Sequence, residues 1–454
     1  MSPLALGIDV GLSGVRAAVV NEEGALVATA RRAYRNARFG GGIAEHDPGE
    51  WVELAFQVAR EAVGSPYSAR VAVVGVGALG PAPVLVDAAL RPLTRAPLFA
   101  LDRRAEDERL RLVAGLADEV AAATLDCALP KLAWWLKHEP EAAAEAAWAL
   151  DATGFVVGSL TGVPVMDRIT AADYRLPGVD SPFPLPEPVA PDALAGRLTA
   201  GAAESMGVSA DVPVVAGSYD SFVDIAAAGV RRPGDAGILL GSTMIVGRAT
   251  EAAEPRDGLG VSEYPGEGVL LGGWTLSGGR VLDWAVSMFG DGRGHGELAA
   301  AAEAIPPGRV MALPYLNGER TPVWDAEARA ALVGLGADSG PAEIYSAMID
   351  SLALVVRDHT DRIDSALGPC PVWRVTGGGA RNRAWLGATA DAVGAPLEVA
   401  PDAGEAVGPA LLGLRALGVD PARGLVERVE PDPERAALFT SLLPVFRELR
   451  RTLA

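Results

Sequence analysis

The chain has 454 residues, 50% of them hydrophobic and 21% charged, with a formal net charge of −19. This length exceeds one ordinary domain and the apolar content is enough for two cores, so disorder is excluded and two domains are expected. The acidity excludes non-specific attraction to nucleic acid, and it leaves any bound phosphate to be met locally by a cation, backbone N–H groups and a few basic side chains.

Cys127 and Cys370 are too few for a disulfide framework and lack zinc-site spacing, so both read as buried fillers. His46, His138, His295 and His359 are scattered without ligand spacing and read as solvated or core side chains. No apolar run approaches the ~20 residues of a membrane span. Met1–Leu6 carries no basic segment ahead of an apolar stretch, so no secretory signal is visible and the cytoplasm is the expected address.

In chain order, Leu4–Asp9, Val15–Val20 and Ala25–Ala30 read as consecutive antiparallel strands, joined by turns at Gly11–Gly14 and Asn21–Gly24. Asp47, Pro48 and Glu50 then announce a capped amphipathic helix with apolar positions at Leu54, Ala55, Val58 and Ala62. Strands follow at Val71–Val76 and Val84–Asp87, and helices over Arg104–Ala123 and Leu132–Trp148. A Pro-rich stretch, Leu176–Pro191, reads as a surface loop, and Val212–Gly217 as a further strand. Gly237–Leu240 and Met244–Arg248, joined by Gly241–Thr243, repeat the N-terminal strand–turn–strand pattern, which places a division into two related α/β domains near residue 235.

Three glycine-rich turns at strand ends offer backbone N–H groups to phosphate or to a flat ligand. The first runs from Asp9 through Gly11, Ser13 and Gly14 to Arg16, where a carboxylate can hold hydrated Mg²⁺ and a guanidinium can face phosphate. An isolated structural hairpin fits the same residues. The second, Gly241, Ser242 and Thr243, adds hydroxyl donors or is a plain tight turn. The third, Thr376–Asn382, follows the strand Val372–Val375; Asn382 either bonds a base edge or caps the next helix. Asp220 stands just past an apolar strand, where it can take a hydroxyl proton during attack on phosphorus, or cap the helix starting at Phe222.

In this order the segments resemble the FGGY family of carbohydrate kinases, which shares its fold group with actin, hexokinase and the Hsp70 ATPase. The likeness also covers Ala44–Trp51, Lys131–Trp134 with His138–Pro140, Leu160–Gly162, Asp167–Tyr174, Leu313–Asp325 and Gly404–Ala410. It implies an α/β fold of two ribonuclease H-like domains with a catalytic cleft between them, residues 1–235 and 236–454, with the last helix a candidate to pack back on the first domain. It implies ATP and Mg²⁺ as cofactors and a small sugar, ketose or polyol as acceptor, with no nucleic acid or membrane partner; a homodimer stays open. By the resemblance Asp220 is the catalytic base and Asp9 the metal carboxylate. Gly11, Ser13 and Arg16 form the first phosphate turn, and Gly241, Ser242 and Thr243 the second. Gly279 and Asp283 line the nucleotide, and Gly378 and Asn382 contact adenosine. Glu319 and Arg320 match a family signature read as a loop-shaping ion pair.

Departures cluster where specificity is set. Leu12 replaces the usual Thr of the first turn, and Leu79, Gly80 and Pro81 stand where xylulose kinases carry Gln-Met-His and glycerol kinases an Arg-Glu pair. Asp102 and Arg104 keep the family's Asp-x-Arg, whereas Ala100 replaces a commoner Trp. The expected acceptor contacts are therefore Gly80, Pro81, Asp102, Arg104 and Asp220, in a pocket opened by the lost side chains. The competing readings are a catalytically weak relative acting as a sugar or nucleotide sensor and an actin-like ATPase.

Overall fold

A computed structural model describes residues 3–114, 124–400, 406–421, 424 and 427–453. Contacts divide the chain into two units, Met1–Ala227 with Glu405–Arg423, and Ala228–Gly404 with Gly424–Ala454.

In the first unit, strands Leu4–Val10 (β1) and Gly14–Asn21 (β2) are near-continuous apolar runs because the sheet is covered on both faces. They join Leu26–Ala33 (β3), Val71–Ala78 (β4), Leu194–Arg197 (β5) and Pro213–Val215 (β6) in the order β5-β6-β4-β1-β2-β3, and Ser218–Tyr219 (β7) pairs with the end of β4. Pro48–Tyr67 (α1) begins where expected: Asp47 accepts from Gly49 N at 2.9 Å, and Trp51, Leu54, Ala55 and Val58 turn inward. Asp220–Ala227 (α2) follows β7 directly.

The second unit repeats the plan. Ala236–Leu240 (β8), Met244–Thr250 (β9), Gly260–Ser262 (β10) and Val269–Trp274 (β11) lead into helices Gly279–Phe289 (α3), His295–Ala302 (α4) and Pro341–Leu367 (α5). Trp373–Thr376 (β12), Arg383–Val393 (α6) and Leu397–Val399 (β13) follow; after Val407–Ala416 (α7) come Glu427–Val429 (β14) and Pro433–Leu453 (α8). The sheet order is β10-β11-β9-β8-β12-β13-β14. Aligned as β3-β2-β1-β4-β6-β5 against β11-β9-β8-β12-β13-β14, both sheets read antiparallel, antiparallel, parallel, parallel, antiparallel. The repeat noted in the sequence is thus a repeat of topology.

The contact boundary falls between Ala227 and Ala228. The segment that returns to the first unit carries α7, whose Val407, Ala410 and Leu411 pack with Ala5, Ala18 and Val73. A side chain on Gly75 of β4 would overlap the Pro409 carbonyl, so glycine there lets the helix lie against the sheet. The last helix, α8, instead contributes Phe439, Leu443 and Phe446 to the core of the second unit. The single helix expected over Leu132–Trp148 is broken into Leu129–His138 and Pro140–Glu145, followed by a strand at Trp148–Leu150. Pro140 has no N–H and forces Glu139 out of helical geometry (φ −135°, ψ 57°). Of the helix expected over Arg104–Ala123, Glu106–Val113 forms, and 115–123 lie outside the described residues, as do the first two positions of Gly404–Ala410. No helix among the described residues is long and apolar enough to cross a membrane.

Candidate active site

In the first unit, β1 and β2 pair so that Asp9 faces Arg16 across the ladder, and Arg16 Nη1 donates to Asp9 Oδ2 at 2.9 Å. The connecting turn closes with Gly11 N donating to Gly14 O at 3.0 Å. Tyr34 at the end of β3 fixes it from outside, its hydroxyl donating to Gly11 O at 2.8 Å. Ser13 is exposed and Leu12 half-buried.

On the other side of β1, Asp9 lies beside Gly77 of β4. A Cβ built on Gly77 would come 3.4 Å from Asp220 Cα, so this glycine lets the start of α2 approach the strand that flanks Asp9. Asp220 is half-buried, and its Oδ1 accepts from Ser221 N at 2.6 Å. Burial, then the Asp9 charge, push the Asp220 carboxyl up to about 7, against the Ser221 N–H and Arg16. Burial also raises Asp9 above its usual range, although Arg16 opposes it. A third carboxylate, Asp224, follows one helical turn after Asp220 and is pushed well above its usual range by burial, Asp9 and Asp220. One guanidinium does not neutralise three acids. Asp224 and Tyr34 were not anticipated; the four-residue spacing from Asp220 placed Asp224 on the same helix face, whereas nothing local marked Tyr34.

Asp9 Oδ1 is buried without a hydrogen-bond partner among the described residues, which suits a cation or its hydration water. No group of three His, Cys, Asp or Glu among the described residues is arranged to hold a metal ion. The donor set therefore fits Mg²⁺ retaining most of its water, with Asp9 as its contact, rather than a cation in an all-protein cage.

The expected acceptor contacts are held differently from the sequence reading. The room left by the missing side chain of Gly80 is taken by the Tyr219 ring, with which a Cβ would overlap. Pro81 O accepts from Phe99 N at 2.8 Å, and Asp151 Oδ2 accepts from both Ala82 N and the Tyr174 hydroxyl at 2.8 Å. Asp102 is buried; its carboxylate accepts from Ala44 N at 2.9 Å and from Arg104 Nε and Nη2 at 2.9 and 2.8 Å. Arg104 also pairs with Glu45 and lies 5.4 Å from the centre of the Trp134 ring. Asp102 thus acts on Arg104, and its own oxygens are engaged inside the protein.

In the second unit the remaining expected residues gather at the ends of β8 and β12. The Gly241–Thr243 turn closes with Gly241 N donating to Thr243 O at 3.0 Å, and Gly279 N donates to Gly241 O at 2.8 Å, seating the N-terminus of α3 beside it. Gly377, at φ 92°, lies so close to Leu240 that a side chain would overlap its carbonyl. Gly378 is exposed, and a Cβ built on it meets nothing within 4 Å among the described residues. Asn382 caps α6, its Oδ1 accepting from Trp385 N at 3.2 Å. Glu319 is buried and accepts from Ser277 Oγ at 2.6 Å and from Leu276 N, while Arg320 donates to Thr275 O at 2.7 Å; both shape the loop before α3.

Residues 4–181 match the N-terminal domain and residues 237–417 the C-terminal domain of the FGGY family of carbohydrate kinases. The chain is 28% identical to the xylulose kinase of Escherichia coli (strain K12) over 483 residues, covering 99% of both chains. It is also 28% identical to the erythritol kinase of Brucella abortus (strain 2308) over 506 residues, 99% of this chain and 96% of that one. It superposes on xylulose kinase from Rhodospirillum rubrum with a TM-score of 0.82 at 26% identity, over 99% of both chains. In fold it also matches a ligand-bound xylulose kinase from Lactobacillus acidophilus, TM-score 0.86 at 20% identity over 99% of this chain and 98% of that one. With its two halves matching the two domains of one family in order, and relatives aligned end to end, the chain belongs to the FGGY family of carbohydrate kinases.

Proposed function

We propose that the chain transfers the terminal phosphoryl group of MgATP to a hydroxyl of a small ketose, sugar or polyol, with Asp220 as general base. The observation that carries this reading is the grouping of Asp220, held near neutrality, with the Asp9–Arg16 pair. A carboxylate with a pKa of about 7 is ionised often enough at physiological pH to accept a proton and is a far better base than an ordinary aspartate. As the acceptor oxygen bonds to phosphorus, its proton passes to Asp220 and the bond from phosphorus to the ADP oxygen breaks. MgATP, when bound, supplies the transferable group and the positive charge that offsets its phosphates. Asp9 holds the metal's hydration shell through Oδ1, Arg16 keeps Asp9 in place through Oδ2, and the Gly11–Gly14 and Gly241–Thr243 turns offer N–H groups to phosphate oxygens. Gly378 and Asn382 take the adenosine end. The named relatives act on xylulose and erythritol, small polyhydroxyl chains, and an acceptor of that class is the first choice for this chain.

The test is ADP release with MgATP across pentuloses, hexuloses, alditols and sugar acids, followed by Asp220→Asn with the best acceptor saturating. The substitution keeps shape but cannot take a proton, so turnover is expected to fall by about 10²- to 10⁴-fold with ATP binding nearly unchanged. Near-normal turnover rejects Asp220 as base. Failure of every acceptor while nucleotide binds tightly would instead favour a nucleotide sensor.

A further inference from the structure

The adenosine side of the second unit contains a hydrogen-bond chain that links four helices. Trp385 N, at the start of α6, can only donate, so Asn382 turns Oδ1 toward it and Nδ2 away. Nδ2 donates to the Tyr345 hydroxyl at 3.0 Å. Tyr345, on α5, is buried, and burial raises its hydroxyl above its usual range, so it keeps its proton. That hydroxyl, which accepts from Asn382, lies within hydrogen-bond distance of His295 Nδ1, 3.1 Å away on α4. His295 Nε2 in turn faces Asp283 Oδ1 of α3 at 3.0 Å. Both ends of the chain are residues assigned to the nucleotide, while neither of its middle members was.

We propose that His295 and Tyr345 are positioning residues for the adenosine end of the nucleotide, holding the Asn382 amide in one orientation and the Asp283 carboxylate at a set distance from it. The proposal rests on the adenosine assignment of Asn382 made above. With Oδ1 and one Nδ2 hydrogen engaged, Asn382 has one amide hydrogen without a partner among the described residues, pre-aimed for a ring nitrogen of the base. The Asp283 side chain is 71% exposed, leaving its other oxygen as an acceptor. Without Tyr345 the amide keeps its helix cap but loses the bond that fixes its other edge. Nucleotide affinity then drops because the amide must be ordered on binding.

The experiment measures binding of MgADP and of magnesium pyrophosphate to the full chain by calorimetry, together with steady-state kinetics. Pyrophosphate probes the phosphate turns alone. Tyr345→Phe is expected to weaken ADP by about five- to thirtyfold, the range for losing one or two hydrogen bonds, with pyrophosphate binding unchanged. The KM for ATP should rise in step and kcat stay within about twofold, because the contact is made equally in ground and transition states. His295→Ala, at a half-exposed side chain that the fold tolerates losing, should weaken ADP by about three- to tenfold. His295→Asn, which can return an acceptor to Tyr345, should recover most of that loss. If Tyr345→Phe and His295→Ala leave ADP affinity within twofold while Asn382→Ala weakens it tenfold or more, the positioning role is overturned and the adenosine assignment stands. If Asn382→Ala itself leaves ADP binding unchanged, that assignment falls and takes the proposal with it. Equal weakening of ADP and pyrophosphate would mark a general structural loss and also overturn it.

Discussion

Leu12 is half-buried in the first phosphate turn, and the hydrogen bonds described for that turn do not use its side chain. Its neighbours hold it instead: Gly11 bonds Gly14, and Tyr34 bonds the carbonyls of Gly11 and Ser13. Leu12→Thr should therefore fold normally and ask a purely chemical question. A hydroxyl that reached developing phosphoryl charge would contribute about 1.5–3 kcal/mol, since its acceptor is ionised. At ~1.4 kcal/mol per tenfold that is a gain of about ten- to a hundredfold in kcat if the bond forms only in the transition state. The exposed Ser13 hydroxyl stands beside this position, so the added group is expected to be redundant and kcat on the best acceptor to change by a few-fold at most. A gain of tenfold or more would identify the natural protein as an impaired kinase.

Between elements, one buried acid of α5 gathers two arginines of the last helix. Asp358 of α5 is fully buried and accepts from Arg447 Nε and Arg450 Nη1 of α8, both at 2.6 Å, with Arg362 a turn along its own helix. Burial alone would raise its pKa, but Arg450 and Arg362 outweigh that and hold it at about 2. Asp358→Asn leaves three guanidiniums facing a neutral amide. It should cost about 3 kcal/mol, the low end for a broken buried pair, because Arg362 and Arg447 keep contact with water. Denaturant unfolding of the second unit would read the loss, and a change under about 0.5 kcal/mol would show that α8 is held by Phe439, Leu443 and Phe446 and by the Arg435–Asp391 pair rather than by Asp358. This contact also marks where sequence reading stopped. The strand–turn–strand units, the Asp47 and Asn382 caps, and Asp220 at the head of its helix were legible because each is signalled within a few residues. The Asp358 cluster, the Asp102–Arg104–Glu45 group and the His295–Tyr345 chain depend on partners tens of residues away, in registers that only packing decides. Gly80 misled for the same reason: its missing side chain signalled open space, whereas Tyr219, far along the chain, fills it.

For the whole molecule, the acids in both units whose carboxyls burial raises couple folding to pH in one direction. Burial raises Asp151 to about 7 and Asp167 to about 6 in the first unit, and Asp350 to about 7 in the second; Asp220, also near 7, adds to the first. From about pH 4 up to its own folded value, about 6 for Asp167 and about 7 for the others, each of these groups holds a proton in the folded chain and has lost it in the unfolded chain. The native state then binds more protons, so stability is greatest at the acidic end of that window and falls as pH rises, by at most ~1.4 kcal/mol per pH unit for each group. Asp358 acts oppositely: its contribution is present above about pH 4 and is lost as pH falls toward its folded value of about 2. The two effects place maximal stability near pH 4, and the net charge of −19 adds self-repulsion on the alkaline side. Calorimetric melting at fixed ionic strength should show the transitions of both units moving down between pH 5 and 8, by several degrees for each kcal/mol lost. Added salt should screen the surface repulsion yet leave most of the slope, since the groups responsible are buried. Asp151→Asn should flatten the pH dependence of the first unit and leave that of the second, and Asp350→Asn should do the reverse. Melting temperatures that stay constant or rise from pH 5 to 8 would mean these carboxyls are ionised in the folded chain, and the near-neutral Asp220 invoked for catalysis would lose its support with them.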